Sequence, residues 1–299
     1  MDFSMWVDDL LMTLNDLPVY VLQPLKLCIW LALITVIFLP MERLFALHPQ
    51  KIFRKAILTD VGYYFLSALL PSLLLGVPMA YVAWGARHFI PAGFTSTVEG
   101  LPPAVRIVAA MVVGEIGFYW GHRWSHEIPL LWRFHAVHHS AEHIDYLVSA
   151  RAHPVDMIFT RLCGLVPMYV LGLASPTRGS SGWIPVVVLF VGTFWGFFIH
   201  ANVRWRFGPL EWLISTPAFH HWHHTNDGPE VINKNYAPML PWMDKVFGTM
   251  YLPKGKHPQR YGIDEPIAPT LVGQLIEPFV VRRKVLQEED QRAGERPAR

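Results

Sequence analysis

The stretch that decides the fold runs from Ala104 to Glu127, AVRIVAAMVVGEIGFYWGHRWSHE, in which a mostly apolar block over residues 104–121 leads without a break into His122-Arg-Trp-Ser-His126. A block of that length is close to the ~20 residues with which a helix, rising ~1.5 Å per residue, crosses ~30 Å of hydrocarbon. Where it ends, two imidazoles four positions apart share one face of a helical turn.

Working outward, four similar apolar blocks occupy residues 19–41, 61–85, 156–174 and 183–201. Pro71, Gly76 and Pro78 interrupt the second, which membrane helices tolerate when neighbours resupply the lost hydrogen bonds. The fourth and fifth blocks also fit a re-entrant hairpin. The expected fold class is an all-α integral membrane protein with about four to five transmembrane helices. Composition agrees: 52% of the 299 residues are hydrophobic and 16% charged, against roughly a quarter charged in a soluble domain. That excludes a disordered or highly charged protein, and a formal charge of +2 leaves no basic field for nucleic acid. The two cysteines, Cys28 and Cys163, lie inside apolar blocks and form no CxxC, so neither a disulfide framework nor a thiolate metal site is indicated.

Lys and Arg collect on the cytoplasmic side of short membrane connections. With the N-terminus outside, five crossings place 20 of the 25 Lys and Arg inside and 2, Arg87 and Arg178, outside; Lys26, Arg106 and Arg161 stay within spans. The same orientation puts the histidine clusters and the C-terminus at the cytoplasmic face. The segment 1–18 has no basic residue and is read as mature sequence, residues 19–280 as one membrane-embedded domain, and 281–299 as a charged, disordered tail.

Twelve of the fifteen histidines fall between His122 and His224. After the first pair come His135-Ala-Val-His138-His139 and His220-His-Trp-His223-His224, again with i, i+3 and i, i+4 spacings that aim imidazoles from one helical turn. Neutral imidazole suits iron, copper, nickel and zinc, and the lack of thiolates argues against structural zinc. Eight such histidines exceed what one four- to six-coordinate ion takes, so two metals share the set. Unrelated interfacial histidines are the competing reading, disfavoured by three clusters at ligand spacing on one side.

These boxes, HxxxH, HxxHH and HxxHH, resemble those of the fatty acid hydroxylase/sterol desaturase superfamily. The likeness covers about residues 115–251, including GHRWSHE, WRFHAVHHS, RAHPVD, FFIHAN, TPAFHHWHH, NKNY and MDKVFGTMY. The resemblance implies a helical bundle whose cytoplasmic ends form a histidine-rich cap around a non-heme di-iron centre. It carries His122, His126, His135, His138, His139, His220, His223 and His224 over as ligands, with His200 resembling the single histidine contributed by the fifth helix. For His153, ligation competes with an orienting or helix-starting role, and Asp156 is a candidate orienting carboxylate. His221 and His143 read as packing or surface residues. Glu127 makes the first box HRxxHE, similar to the alkylglycerol monooxygenase branch; a tetrahydrobiopterin contact is one reading of it and an ordinary helix-surface glutamate the favoured one. Glu115, costly in hydrocarbon, is either a structural hydrogen-bond partner or part of the site.

The resemblance further implies oxidation of an unactivated C–H bond of a membrane lipid with O2 and two electrons, hydroxylation ranking above desaturation. No GxGxxG, Walker motif or CxxC occurs, so electrons are expected from a separate electron-transfer protein or a pterin. The rivals are a histidine-rich metal transporter, which predicts ligands along a path within the bilayer, and a membrane zinc hydrolase, which wants an open zinc site.

Overall fold

The computed structural model describes residues 16–173 and 183–280. The segment expected to precede the first crossing falls largely outside the described residues, and the tail from 281 wholly so. The chain forms α1 (Val19–Leu44), α2 (Ile57–Leu74), α3 (Gly76–Phe89), α4 (Ala92–Glu99), α5 (Pro103–Glu127), α6 (Pro129–His139), α7 (Pro154–Val170), α8 (Ile184–His200), α9 (Pro217–His223), α10 (Trp242–Val246) and α11 (Leu271–Ile276). Short 3-10 turns cover Tyr146–Ala150, Gly208–Trp212 and Glu277–Phe279. Among the described residues no strand forms; Ala46 with Val203 and Thr225 with Tyr261 make isolated bridges. The expected all-α membrane class is what the chain adopts.

Among the described residues, three stretches are long and apolar enough to cross a membrane: Val19–Leu44, the joined helices of Ile57–Phe89, and Pro103–Glu127. Their outer faces are apolar and uncovered, as with Trp30, Leu33, Val36 and Ile37 on α1, which in this setting marks contact with lipid. The fourth and fifth expected crossings, α7 and α8, are 17 residues each, the short end of the spanning range. They pack beside α5 rather than standing alone.

Prolines punctuate the site. Ile128 is extended (φ −98°, ψ 115°) ahead of Pro129, ending α5 and starting α6 at once. That break turns the chain, so the histidines of α6 face those at the end of α5. Pro154 starts α7 after His153, whose Nδ1 accepts from Val155 N, and Pro217 starts α9 after Thr216, whose hydroxyl accepts from Phe219 N.

Close approach of α5 to α7 sets the interior. A Cβ on Gly117 would lie 2.0 Å from the Cys163 carbonyl oxygen, and one on Gly121 2.8 Å from Cys163 Cβ; small residues let the backbones meet as in membrane helix pairs. At the histidine end, Glu42 near the C-terminus of α1 accepts from Tyr146 N at 2.8 Å and Asn202 N at 2.9 Å. The C-terminal ends of α1, α5 and α8 and the N-terminal ends of α2 and α7 therefore gather on one side of the bundle.

Candidate metal centre

Nine histidines form two adjoining groups, His122, His126, His135, His139 and His223 in one, His138, His200, His220 and His224 in the other. Within each group the candidate ligand atoms all lie within 4.8 Å of one another. The helical boxes divide between them. From α6, His135 and His139 (i, i+4) enter the first group while His138 turns to the second; from α9, His220 enters the second with the following His224, and His223 crosses to the first. Rings from the two groups touch, His139 stacking on His224 at a centroid distance of 4.4 Å.

Backbone and side-chain acceptors fix the tautomers. Nδ1–H of His122 donates to the Tyr236 carbonyl (2.7 Å), that of His138 to Arg151 (2.8 Å), of His200 to Gly196 (2.7 Å) and of His223 to Lys234 (2.8 Å). His135 Nδ1–H donates to Asp156 Oδ2 (2.9 Å), whose other oxygen accepts from Ser125 (2.9 Å), and His126 Nδ1 reaches Asn233 Oδ1 at 3.1 Å. Because a carbonyl or carboxylate only accepts, each of these rings presents an unprotonated Nε2 to its group.

The consequence is visible in each group. His122 Nε2 and His135 Nε2 are 3.2 Å apart, and His138 Nε2 and His200 Nε2 3.4 Å. Neither pair has a proton left to share, so lone pair faces lone pair. Nitrogens held ~2.0–2.1 Å from one ion sit about 3.0–3.4 Å from each other, and a shared cation removes the repulsion. Buried Nε2 atoms of His126, His139 and His223 likewise have no hydrogen-bond partner. Burial holds the imidazoles of His135, His138, His139, His220, His223 and His224 below their ordinary pKa, in the neutral form that ligates. The donor set fits two borderline transition-metal ions.

A cavity of about 300 Å³ opens from these histidines between α5, α7 and α8. His122, His135, His138, His200 and His220 line one end. Met111, Leu165, Met168 and Val188 line the other, within the apolar length of the bundle.

Residues 107–249 match the fatty acid hydroxylase family, and the matched segment contains every histidine of both groups. The chain is 36% identical over 178 residues to the ornithine lipid hydroxylase OlsE of Rhizobium tropici, covering 60% of this chain and 51% of that one. It is 36% identical over 154 residues to the alkylglycerol monooxygenase of Homo sapiens (51% and 32%), and 27% identical over 203 residues to methylsterol monooxygenase 2-2 of Arabidopsis thaliana (64% and 67%). The chain spans about half the length of the first of these relatives and about a third of the second. No solved structure matches it.

Within the matched segment the remaining sequence candidates find places. His153 lies outside both groups: it caps α7, its Nε2 meets the Leu275 carbonyl at 3.1 Å, and its ring packs on Phe134 and Phe279. Asp156 orients His135 as described. Glu127 forms an exposed ion pair with Arg123, one turn earlier, at 2.8 Å. Glu115 accepts from Met239 N (2.6 Å) and Leu240 N (2.8 Å), tying the segment after the third box to the middle of α5. His221, fully buried, meets the Ala201 carbonyl and the Tyr261 hydroxyl, and His143 is exposed.

Sequence reasoning missed the acceptors Asn233, Lys234, Arg151 and Gly196, three of which act through backbone carbonyls. The Asn233-Lys234-Asn235 segment carried a signal: both asparagines adopt positive φ (58° and 57°), a conformation asparagine tolerates better than most residues. Those turns aim the Lys234 and Tyr236 carbonyls at His223 and His122. Asp244 accepts from Tyr236 N (2.7 Å) and Ala237 N (2.8 Å) and holds the segment in place.

Proposed function

We propose that this chain is a membrane-bound oxygenase that hydroxylates a C–H bond of a lipid, using O2 and two electrons at a two-iron centre. The observation that carries the reading is a single cavity with a histidine-lined end and an apolar end. His122, His126, His135, His139 and His223 would hold one iron, and His138, His200, His220 and His224 the other. When bound, the iron pair supplies the O2 chemistry that an unactivated C–H bond requires.

The rest falls to the chain. The apolar limb of the cavity admits a hydrocarbon chain from the bilayer and excludes water from the reacting carbon. Asp156, Ser125 and the carbonyls of Arg151, Gly196, Lys234 and Tyr236 hold the imidazoles in one tautomer, so the centre needs no reorganisation when metal arrives. The charge asymmetry of the connections favours the cytoplasmic face for the histidine end and the C-terminus, where a separate electron-transfer protein has access. Three relatives named as lipid hydroxylases or monooxygenases favour hydroxylation over desaturation.

Purified protein tests this directly. About two irons per chain with lipid-dependent O2 uptake and an oxygenated lipid product is the expected result. One tightly held zinc without O2 uptake overturns the oxygenase reading in favour of a hydrolase, and an alkene product replaces hydroxylase with desaturase.

A further inference from the structure

Arg161 lies on α7 inside a bundle in which several other interior charges are paired. Arg54 and Arg151 share Asp60, Arg54 also pairs with Asp145, and Glu42 and Glu115 accept backbone N–H groups. Arg106 is bonded to the Leu173 carbonyl and has a further partner. Among the described residues the Arg161 guanidinium makes no hydrogen bond or ion pair. A guanidinium without a counter-charge at this depth is expensive and points to a function.

Its surroundings say which. Arg161, Ser149 and Thr193 line the metal cavity and also a second cavity of about 290 Å³. That second space lies between α1, α2 and α8, walled by Leu27, Trp30, Ile34, Phe190, Phe194 and Phe197. One free cation and two hydroxyls thus stand where an aromatic and aliphatic chamber meets the chamber that ends at the histidines. A guanidinium matches carboxylate or phosphate through paired N–H donors.

We propose that Arg161 anchors the acidic group of the lipid substrate, with one hydrocarbon limb in the second cavity and the limb to be oxidised directed at the histidines. The proposal rests on the oxygenase reading and adds the substrate class, an anionic or zwitterionic lipid. Arg161 follows Asp156, the residue that orients His135, by five positions on the same helix, about 7.5 Å along its axis.

Binding can be measured without metal. Trp195 lines the first cavity and Trp30 the second, so tryptophan fluorescence of the detergent-solubilised, metal-free full chain reports occupancy of both. Titrations use oleate, phosphatidic acid and uncharged monoolein, with inorganic phosphate and acetate as headgroup-only controls. Wild-type protein is expected to bind the acidic lipids at least tenfold more tightly than monoolein and the free anions weakly. Arg161→Met should lose that preference while keeping monoolein affinity, and Arg161→Lys should retain part of it. Preference for phosphatidic acid over oleate, or the reverse, identifies the anion. Equal wild-type affinity for charged and uncharged lipid overturns the proposal whether or not Arg161→Met folds, as does an unchanged preference in Arg161→Met. Loss of lipid-dependent O2 uptake with this preference intact would sink the oxygenase reading instead.

Discussion

His135 and Asp156 sit on different helices, α6 and α7, yet the imidazole Nδ1 lies 2.9 Å from the carboxylate, with both side chains buried. The carboxylate fixes which nitrogen of His135 carries the proton and therefore which one faces the metal. Partners of this kind affect metal affinity typically 10–100-fold. Asp156→Ala is expected to lower iron affinity of the first group by about that range, with Asp156→Asn losing less because an amide oxygen still accepts. Iron titration with colorimetric readout checks both; unchanged affinity in Asp156→Ala would remove the orienting role.

The division of the boxes between two groups gives a stoichiometric prediction. His220→Ala leaves three imidazoles in the second group and should leave about one iron per chain in place of two, whereas His139→Ala leaves four in the first group and should lower its iron affinity. His221→Ala, beside His220, should keep both irons. It breaks contacts to Ala201 and Tyr261, so its effect is a stability loss of about 1–3 kcal/mol. Metal analysis and thermal unfolding of the three variants separate these outcomes.

Arg151 connects the second group to α2. Its carbonyl accepts from His138 while its guanidinium Nε lies 2.5 Å from Asp60, which is fully buried. Removing one partner of a buried ion pair costs about 3–5 kcal/mol. Asp60→Ala is therefore expected to lower the unfolding temperature sharply and to weaken iron at His138, His200, His220 and His224 before the other group.

Gly117 marks the contact of α5 with α7. Gly117→Val drives side-chain atoms into the Cys163 backbone and should destabilise by about 1–3 kcal/mol or more. Gly85→Ala, where nothing lies within 4 Å, should be neutral or slightly stabilising. Comparing their melting temperatures tests whether close helix approach, rather than glycine flexibility, is what this position requires.

Acid should destabilise the metal-free chain. His221 is outside both metal groups, and burial lowers its pKa to about 3. With the unfolded imidazole near 6.5, the unfolded state binds the extra proton between those values. Stability is full above about pH 6.5 and falls as pH drops towards 3, and the buried ligand histidines act in the same direction. Denaturant unfolding at pH 7 and pH 5 should show lower stability at pH 5; an increase would contradict the neutral assignment.

Local sequence carried much of this. The apolar blocks anticipated the long helices, and the i, i+3 and i, i+4 spacings anticipated imidazoles on shared faces. His200 stood out because it ends an apolar block on the side of the boxes. The carbonyls of Tyr236, Arg151, Lys234 and Gly196 were not legible as acceptors, since every residue has one. Arg161 was visible only as a basic residue left inside a span.

The sequence by itself determined an all-helical membrane chain with its histidines concentrated at one end of the apolar blocks, because hydropathy and helical periodicity act over a turn or a span. Only the tertiary structure decided that His138 leaves its own box to join His200, that His223 crosses to His122, and that Arg161 faces two cavities with no counter-charge among the described residues. Those outcomes depend on where α5 meets α7 through Gly117 and how Pro129 turns α6 against α5. Contacts between residues far apart in the chain set those distances, and no local pattern encodes them.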